Sequence, residues 1–301
     1  MFDTVFNPCS NAAGIVKRPI AINCAWRNWR CVLLLLLGVL AQRPAWAELM
    51  IAPTRIVFDK NLRAAQLDLI NDGAESATYR ISIVNRRMSE TGEFSPIVSP
   101  APGEQFADEL LRYSPRQVVL APGAGQAVRL SLRKPADLPA GEYRSHLIFE
   151  KVASTTGATS IESQAASSDE LTMQLTMLVG ITIPVIVRQG DTTASVTLTG
   201  LELLKPVAAE PPTVALVLQR SGNRSVYGDL GAMFTPHGGT AQEVGRAGGV
   251  AVYTPNAVRK VKLALTLPPA LVLARGTLRV TFRERPDAGG KLLAEAAIEL
   301  P

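Results

Sequence analysis

Cysteine and histidine, the residues that most often build catalytic and metal sites, are nearly missing. The 301 residues hold three cysteines and two histidines. Cys9, Cys24 and Cys31 all lie ahead of residue 48, in a stretch laid out like an export signal. Arg27 and Arg30 precede an unbroken apolar run, Cys31–Ala41, and Ala45-Trp46-Ala47 offers a small-x-small cleavage site. The run is too short to span a bilayer, which takes roughly 20 apolar residues. Cleavage after Ala47 leaves a chain that is not membrane-embedded and has no thiol, hence no disulfide and no cysteine-based metal site. Residues 1–26 exceed what a secretory leader needs, and a start codon further downstream explains them.

Excess charge is missing too. The formal net charge is +5, but residues 1–47 carry Lys17, Arg18, Arg27, Arg30 and Arg43 against Asp3 alone. The remainder is therefore close to neutral, so the basic balance of the whole sequence argues for neither nucleic acid nor an anionic surface as partner. No Gly-x-Ser-x-Gly, phosphate loop or Walker-type lysine occurs. His237 lies in a Pro-Gly turn. His146 alternates with Leu147 in an apolar stretch and is expected on a solvated strand face. Neither has a metal-ligand partner at useful spacing. No catalytic set, cofactor or metal is implied, and the chain reads as a non-enzyme.

What remains is strand. Apolar and polar residues alternate in 66–69, 79–84, 128–132 and 143–149, the period of half-buried strands. Turn chemistry separates these runs: Asn71-Asp72-Gly73, Ala121-Pro122-Gly123, Ser221-Gly222-Asn223 and Pro236-His237-Gly238-Gly239. No helical period is sustained. Short strands with regular turns predict an all-β chain of sandwiches. A weak internal repeat sets their number. Segments 69–79, 118–132 and 141–149 have counterparts in 218–227, 251–265 and 276–282, in the same order. The expectation is two related immunoglobulin-like β-sandwich domains in tandem, 48–188 and 191–301, joined through Arg188-Gln189-Gly190-Asp191.

Two neighbouring segments break the pattern of short strands. Residues 153–170 are rich in Ser, Thr and Ala with almost no large apolar side chain, and loops this long are usually functional or disordered. Then Leu171, Met173, Leu175, Met177, Val179, Ile181 and Ile183 alternate with smaller or polar residues over a run far longer than the usual five or six. Pro184 ends the run, and proline is tolerated at sheet edges. An apolar edge strand needs a cover. Periodicity alone leaves two readings open: these side chains fill their own sandwich, or they fill a partner's groove while the strand extends the partner's sheet.

Ala52-Pro53-Thr54-Arg55-Ile56-Val57-Phe58-Asp59, then LDLINDG, then LAPGAGQAVRLSLRKPADLPAGEYRSHLIFEK, together resemble the first domain of PapD-like periplasmic pilus-assembly chaperones. The likeness runs over roughly 49–188. It implies a periplasmic protein that captures pilus or fimbrial subunits, each an immunoglobulin fold lacking one strand, by donor-strand complementation. Partners implied are those subunits and an outer-membrane usher. Leu175, Met177, Val179, Ile181 and Ile183 would be the donor residues. Arg55 falls where the family holds a subunit's C-terminal carboxylate, a task suited to the guanidinium fork. Arg129 and Glu142 align with an interdomain ion pair. The chain departs from the family at two places: a lysine is implied on the donor strand, where Pro184 stands and no lysine lies within the strand, and the aspartate implied in the interdomain ion pair has no equivalent near residues 271–277. Arg55 is left to act alone or with Thr182.

Two rivals from other classes remain. A structural or adhesin-type secreted protein would need a missing strand or an N-terminal donor extension, and few residues separate Ala47 from the first strand at Leu49. An enzyme or small-molecule binder with an unmarked site would show an apolar pocket with converging polar groups.

The export signal yields the first prediction. Protein recovered from the periplasm is expected to begin at Glu48, which intact-mass measurement checks; full-length protein confined to the cytoplasm would contradict it.

Overall fold

The computed structural model describes residues 49–97, 99–152, 180–204, 210–269 and 271–301. Among them there is no α-helix, and no helix is long and apolar enough to cross a membrane. The signal stretch, the segment 153–170 and the donor candidates Leu175, Met177 and Val179 lie outside the described residues.

The strands are β1 (Leu49–Ala52), β2 (Ile56–Phe58), β3 (Ala64–Asn71), β4 (Ala77–Val84), β5 (Arg86–Met88), β6 (Phe94–Pro96), β7 (Leu111–Ser114), β8 (Gln117–Leu120), β9 (Gly125–Leu132), β10 (Gly141–Lys151) and β11 (Gly180–Gln189), then β12 (Ala194–Leu204), β13 (Thr213–Gly222), β14 (Val226–Pro236), β15 (Gln242–Val252), β16 (Val258–Ala264), β17 (Gly276–Arg283) and β18 (Leu292–Leu300). They form two β-sandwiches. In the first, a sheet ordered β1-β3-β9-β7 faces one ordered β2-β11-β10-β4-β8; in the second, β12-β13-β16 faces β15-β14-β17-β18. Each sandwich has its own core. Phe58, Leu67, Leu69, Val128, Leu147 and Phe149 are fully buried in the first, and Val214, Leu218, Leu230, Phe234, Leu278 and Phe282 in the second.

The repeat in the sequence is a repeat of topology. The segments matched in sequence, β3 with β13, β4 with β14, β9 with β16 and β10 with β17, also pair alike: β3 with β9 and β13 with β16, β4 with β10 and β14 with β17. The same period-2 pattern that sends alternate side chains inward fixes which strand can pair with which, since a one-residue slip would turn every apolar residue outward.

Local chemistry sets the corners. Asn71 is fully buried at the end of β3; its Nδ2 donates to the Glu75 and Leu120 carbonyls at 2.8 and 2.9 Å, and its Oδ1 accepts from Gly73 N–H at 3.0 Å. One side chain thereby satisfies the β3–β4 turn and ties it to β8. The neighbouring turn needs Gly123 at φ +70°, a region where only glycine is unstrained, and its N–H donates to the Asn71 carbonyl at 2.8 Å.

Two arrangements position the site. The chain changes sheets between β1 and β2: β1 pairs antiparallel with β3, while β2 runs parallel to β11 in the opposite sheet. Residues 53–55 cross that corner, so Arg55 is delivered to the end of the sandwich that meets the second. The other arrangement is a hairpin, β5–β6, which leaves the first sandwich and grips the second. The Lys260 N–H donates to the Glu90 carbonyl at 2.7 Å, Asn256 Nδ2 donates to the Met88 carbonyl at 2.7 Å, and Lys260 pairs with Glu90 at 2.8 Å. At the hairpin tip Gly92 has φ +90°, and a Cβ there would meet the Arg259 guanidinium at 2.5 Å.

Phe149 on β10 and Phe282 on β17 occupy matching places in the two cores, each with no exposed surface. Phe149→Ala and Phe282→Ala are each expected to cost about 3–5 kcal/mol, measured by denaturant titration; a loss under about 1 kcal/mol at either position would mean that its core is not packed as described.

Candidate functional site

The site grows from β10, which is buried on both faces from Gly141 to Phe149. Its odd-numbered residues Tyr143, Leu147 and Phe149 fill the first core. Its even-numbered residues Glu142, Arg144 and His146 are polar, yet only 2%, 6% and 3% exposed. Sequence alternation placed His146 on a solvated face; the structure corrects this, because the second sandwich covers that face. Side by side on β11, in register with those residues, stand Arg188, Ile186 and Pro184.

Glu142 is the hub. Its Oε2 lies 3.1 Å from Arg188 Nε, and its Oε1 accepts from the Ser225 backbone N–H at 3.1 Å and from the Ser225 hydroxyl. Ser225 belongs to the second sandwich, so one carboxylate joins both. Arg188 in turn reaches Asp59 at 3.1 Å. Burial tends to raise the Asp59 pKa, but the Arg188 hydrogen bond and the Lys60 N–H prevail and hold it below the usual carboxylate value. The expected interdomain pair of Arg129 with Glu142 is thereby corrected. Arg129 lies exposed on β9, between inward-pointing Val128 and Leu130, in the sheet that does not contain β10. Glu142 does bridge the domains, but through Ser225.

Around the hub, cations rest on aromatic rings. The Arg144 guanidinium carbon is 4.3 Å from the Tyr253 ring centre and 5.8 Å from that of Phe94. Burial lowers the Arg144 pKa, though not enough to remove a guanidinium's charge. Arg144 donates to the Arg86 carbonyl at 3.3 Å, while its Nε and Nη1 are buried with no partner among the described residues. Phe94 also meets His146 edge-on, ring centres 5.2 Å apart. Both His146 nitrogens are buried, with no hydrogen-bond partner among the described residues. Burial first, then the nearby charges of Arg144, Arg86 and Arg55, push its pKa down to about 3.

Arg55 is half-buried where the two sandwiches meet. It donates to the Tyr253 hydroxyl at 2.9 Å and lies 4.4 Å above the Tyr227 ring. No carboxylate pairs with it among the described residues. It lines a cleft of about 890 Å³ together with Arg188, Arg224, Tyr227, Arg285 and Lys291. Thr182, the expected companion of Arg55, is further along β11 and is not part of the cleft lining; Tyr253 and Tyr227 hold Arg55 instead. Sequence reasoning missed those two tyrosines, and no spacing rule could bring residues 227 and 253 to residue 55.

The described end of the long strand is divided. Ile183 is 2% exposed in the first core, and Ile181 packs against that core. Ile183 is thus not offered to a partner, a correction to its place among the donor residues: its side chain completes its own sandwich. The backbone differs. β11 pairs along one side with β10 from Gly180 to Gln189, but along the other side with β2 only at Val185–Val187. Among the described residues no strand covers the second side of residues 180–184.

The site thus consists of two sandwiches joined by a buried carboxylate, a cation-lined cleft between them, and a strand edge left uncovered among the described residues. No protein-family model matches the chain, and no curated protein matches it. Similar solved structures include chaperones and chaperone–subunit complexes. The YadV chaperone is 11% identical, with a TM-score of 0.44 over 84% of this chain and 100% of that one. A chain of the CsuC–CsuE chaperone–tip adhesion subunit pre-assembly complex of Acinetobacter baumannii is 14% identical, with a TM-score of 0.44 over 84% and 98%. A chain of the Salmonella enterica SafA pilin complex with the SafB chaperone is 14% identical, with a TM-score of 0.40 over 86% and 99%.

Buried neutral His146 ties stability to pH. Its folded pKa of about 3 lies below the ordinary 6.5, so the unfolded chain takes up a proton first as pH falls. The stabilisation is complete above pH 6.5 and declines towards pH 3, by up to about 1.4 kcal/mol per pH unit. His146→Phe removes this component. Between pH 6 and 4 its stability is expected to gain on the parent by about that slope in urea titrations; parallel pH profiles would contradict it.

Proposed function

We propose that the protein is a periplasmic chaperone that captures subunits of a pilus or similar fibre, completes each with one of its own strands, and passes them to an outer-membrane usher. One observation carries this reading: the uncovered edge of β11 at residues 180–184 lies next to Arg55, a guanidinium held by tyrosines and paired with no carboxylate among the described residues.

An uncovered edge presents backbone N–H and C=O groups that a second chain can satisfy. The odd-numbered face of β11 is the protein's own core at Ile183 and thins out at Ile181. Val179, Met177 and Leu175 continue the same alternation in the sequence. A subunit sheet added along this strand would therefore build its core as an extension of the chaperone's, each apolar side chain contributing about 1.5–3 kcal/mol on burial. Arg55 would hold the subunit's C-terminal carboxylate and set the register of the added strand. Donor-strand capture of this kind needs no catalytic group, and export by a cleavable signal would put the protein where such subunits arrive.

The test separates donation from self-packing. Met177→Ser with Val179→Ser is expected to leave the melting temperature near the parent's while abolishing co-purification of fibre subunits from the periplasm. A fall of several kcal/mol in stability, as for core truncations of about 2–5 kcal/mol each, would sink the donor reading. Arg55→Ala is expected to weaken capture by about 2–5 kcal/mol and stability by about 1 kcal/mol, the worth of its ring contact and hydrogen bond. Unchanged capture would leave Arg55 as an interdomain strut.

A further inference from the structure

We infer that Arg285 is the second cation of the carboxylate site, supplied by the second sandwich in place of a lysine on β11; this rests on the reading of Arg55 given above. The two guanidiniums share one ring. The Arg55 carbon lies 4.4 Å from the Tyr227 centroid and the Arg285 carbon 5.9 Å from it, with Arg285 Nη1 donating to the Tyr227 hydroxyl at 3.3 Å. Both residues line the same cleft.

Arg285 also has hydrogen-bonding capacity left over. Among the described residues its Nε, shielded from solvent, has no hydrogen-bond partner, and its ion-pair contact, Asp287 Oδ1, stands at 3.6 Å, beyond hydrogen-bond reach. A buried donor of this kind costs free energy unless something accepts from it. A carboxylate entering beside Tyr227 would do so, and would take its other hydrogen bond from Arg55.

The other cations of the cleft fit less well. Arg188 is committed to Asp59 and Glu142 at 3.1 Å each. Arg224 and Lys291 line the cleft, and among the described residues neither has its cation stacked over the ring of Tyr227 or Tyr253. Asp59, Glu284 and Asp287 are the carboxylates there, and Asp59 is already held by Arg188, so five cations face three anions across the opening. The ligand class is a peptide's terminal carboxylate, bound by one cation from each sandwich. Capture would then depend on the relative placement of the two sandwiches.

The probe is a heptapeptide of alternating valine and threonine with an N-terminal fluorophore, prepared with a free C-terminal carboxylate and as the C-terminal amide. Fluorescence anisotropy gives the acid-over-amide preference of the purified protein. The parent is expected to prefer the acid, and Arg55→Ala and Arg285→Gln each to reduce the preference about tenfold. Arg285→Lys, which keeps the charge without the planar fork, is expected to fall between. Arg285 is 40% exposed at its side chain, so both Arg285 variants are expected to melt like the parent. If the parent binds acid and amide alike, the carboxylate reading of Arg55 fails and this inference with it. If Arg55→Ala loses the preference while both Arg285 variants keep it, the reading of Arg55 stands and the role of Arg285 is overturned.

Discussion

Everything near the cleft depends on one buried carboxylate. Glu142 is almost sealed from solvent, and in that setting an uncompensated charge costs several kcal/mol. It is compensated by Arg188 from its own sandwich and by the Ser225 N–H and hydroxyl from the other. Separating the sandwiches would remove half of that compensation and expose a partly paired ion. The placement of one sandwich on the other is therefore fixed by a directional contact and not by apolar contact alone.

The rest of the interface follows the same economy with a different chemistry. Arg55 and Arg144 rest on Tyr227, Tyr253 and Phe94 instead of on carboxylates, and Arg285 reaches Tyr227 as well as Asp287. Ring faces attract a guanidinium without consuming all of its N–H groups. Near the cleft, that leaves donors free for an incoming acceptor. The β5–β6 hairpin adds a second attachment from the opposite side, with Met88 buried beside Ile186, Ala251 and Tyr253. Two separated attachments resist rotation better than one.

β11 serves both the interface and the first core. Its even-numbered face meets the second sandwich through Ile186 and carries Arg188, the partner of Glu142, while Ile183, Val185 and Val187 on the odd face fill the first core. Towards residue 180, among the described residues, β11 has a partner strand on one side only.

By itself the sequence determined the secondary structure class, the tandem sandwiches and the equivalence of their strands. These follow from local signals: period-2 alternation, turn residues such as Asn71 and Gly123, and a repeat that recurs in order. It also singled out Arg55, Glu142 and the long strand, through short motifs contiguous in the chain. What only the tertiary structure decided is which residues meet. Alternation tells one face of a strand from the other but not what covers the outer face, so His146 reads as solvated and is buried. Arg129 reads as a partner of Glu142, but its outward direction on β9 turns it to solvent, while Ser225, far along the chain and without a motif, takes part instead. Tyr227, Tyr253 and Arg285 reach Arg55 only because one sandwich is laid against the other, and such a contact, depending on the three-dimensional path of two separately folded cores, leaves no periodic trace in either.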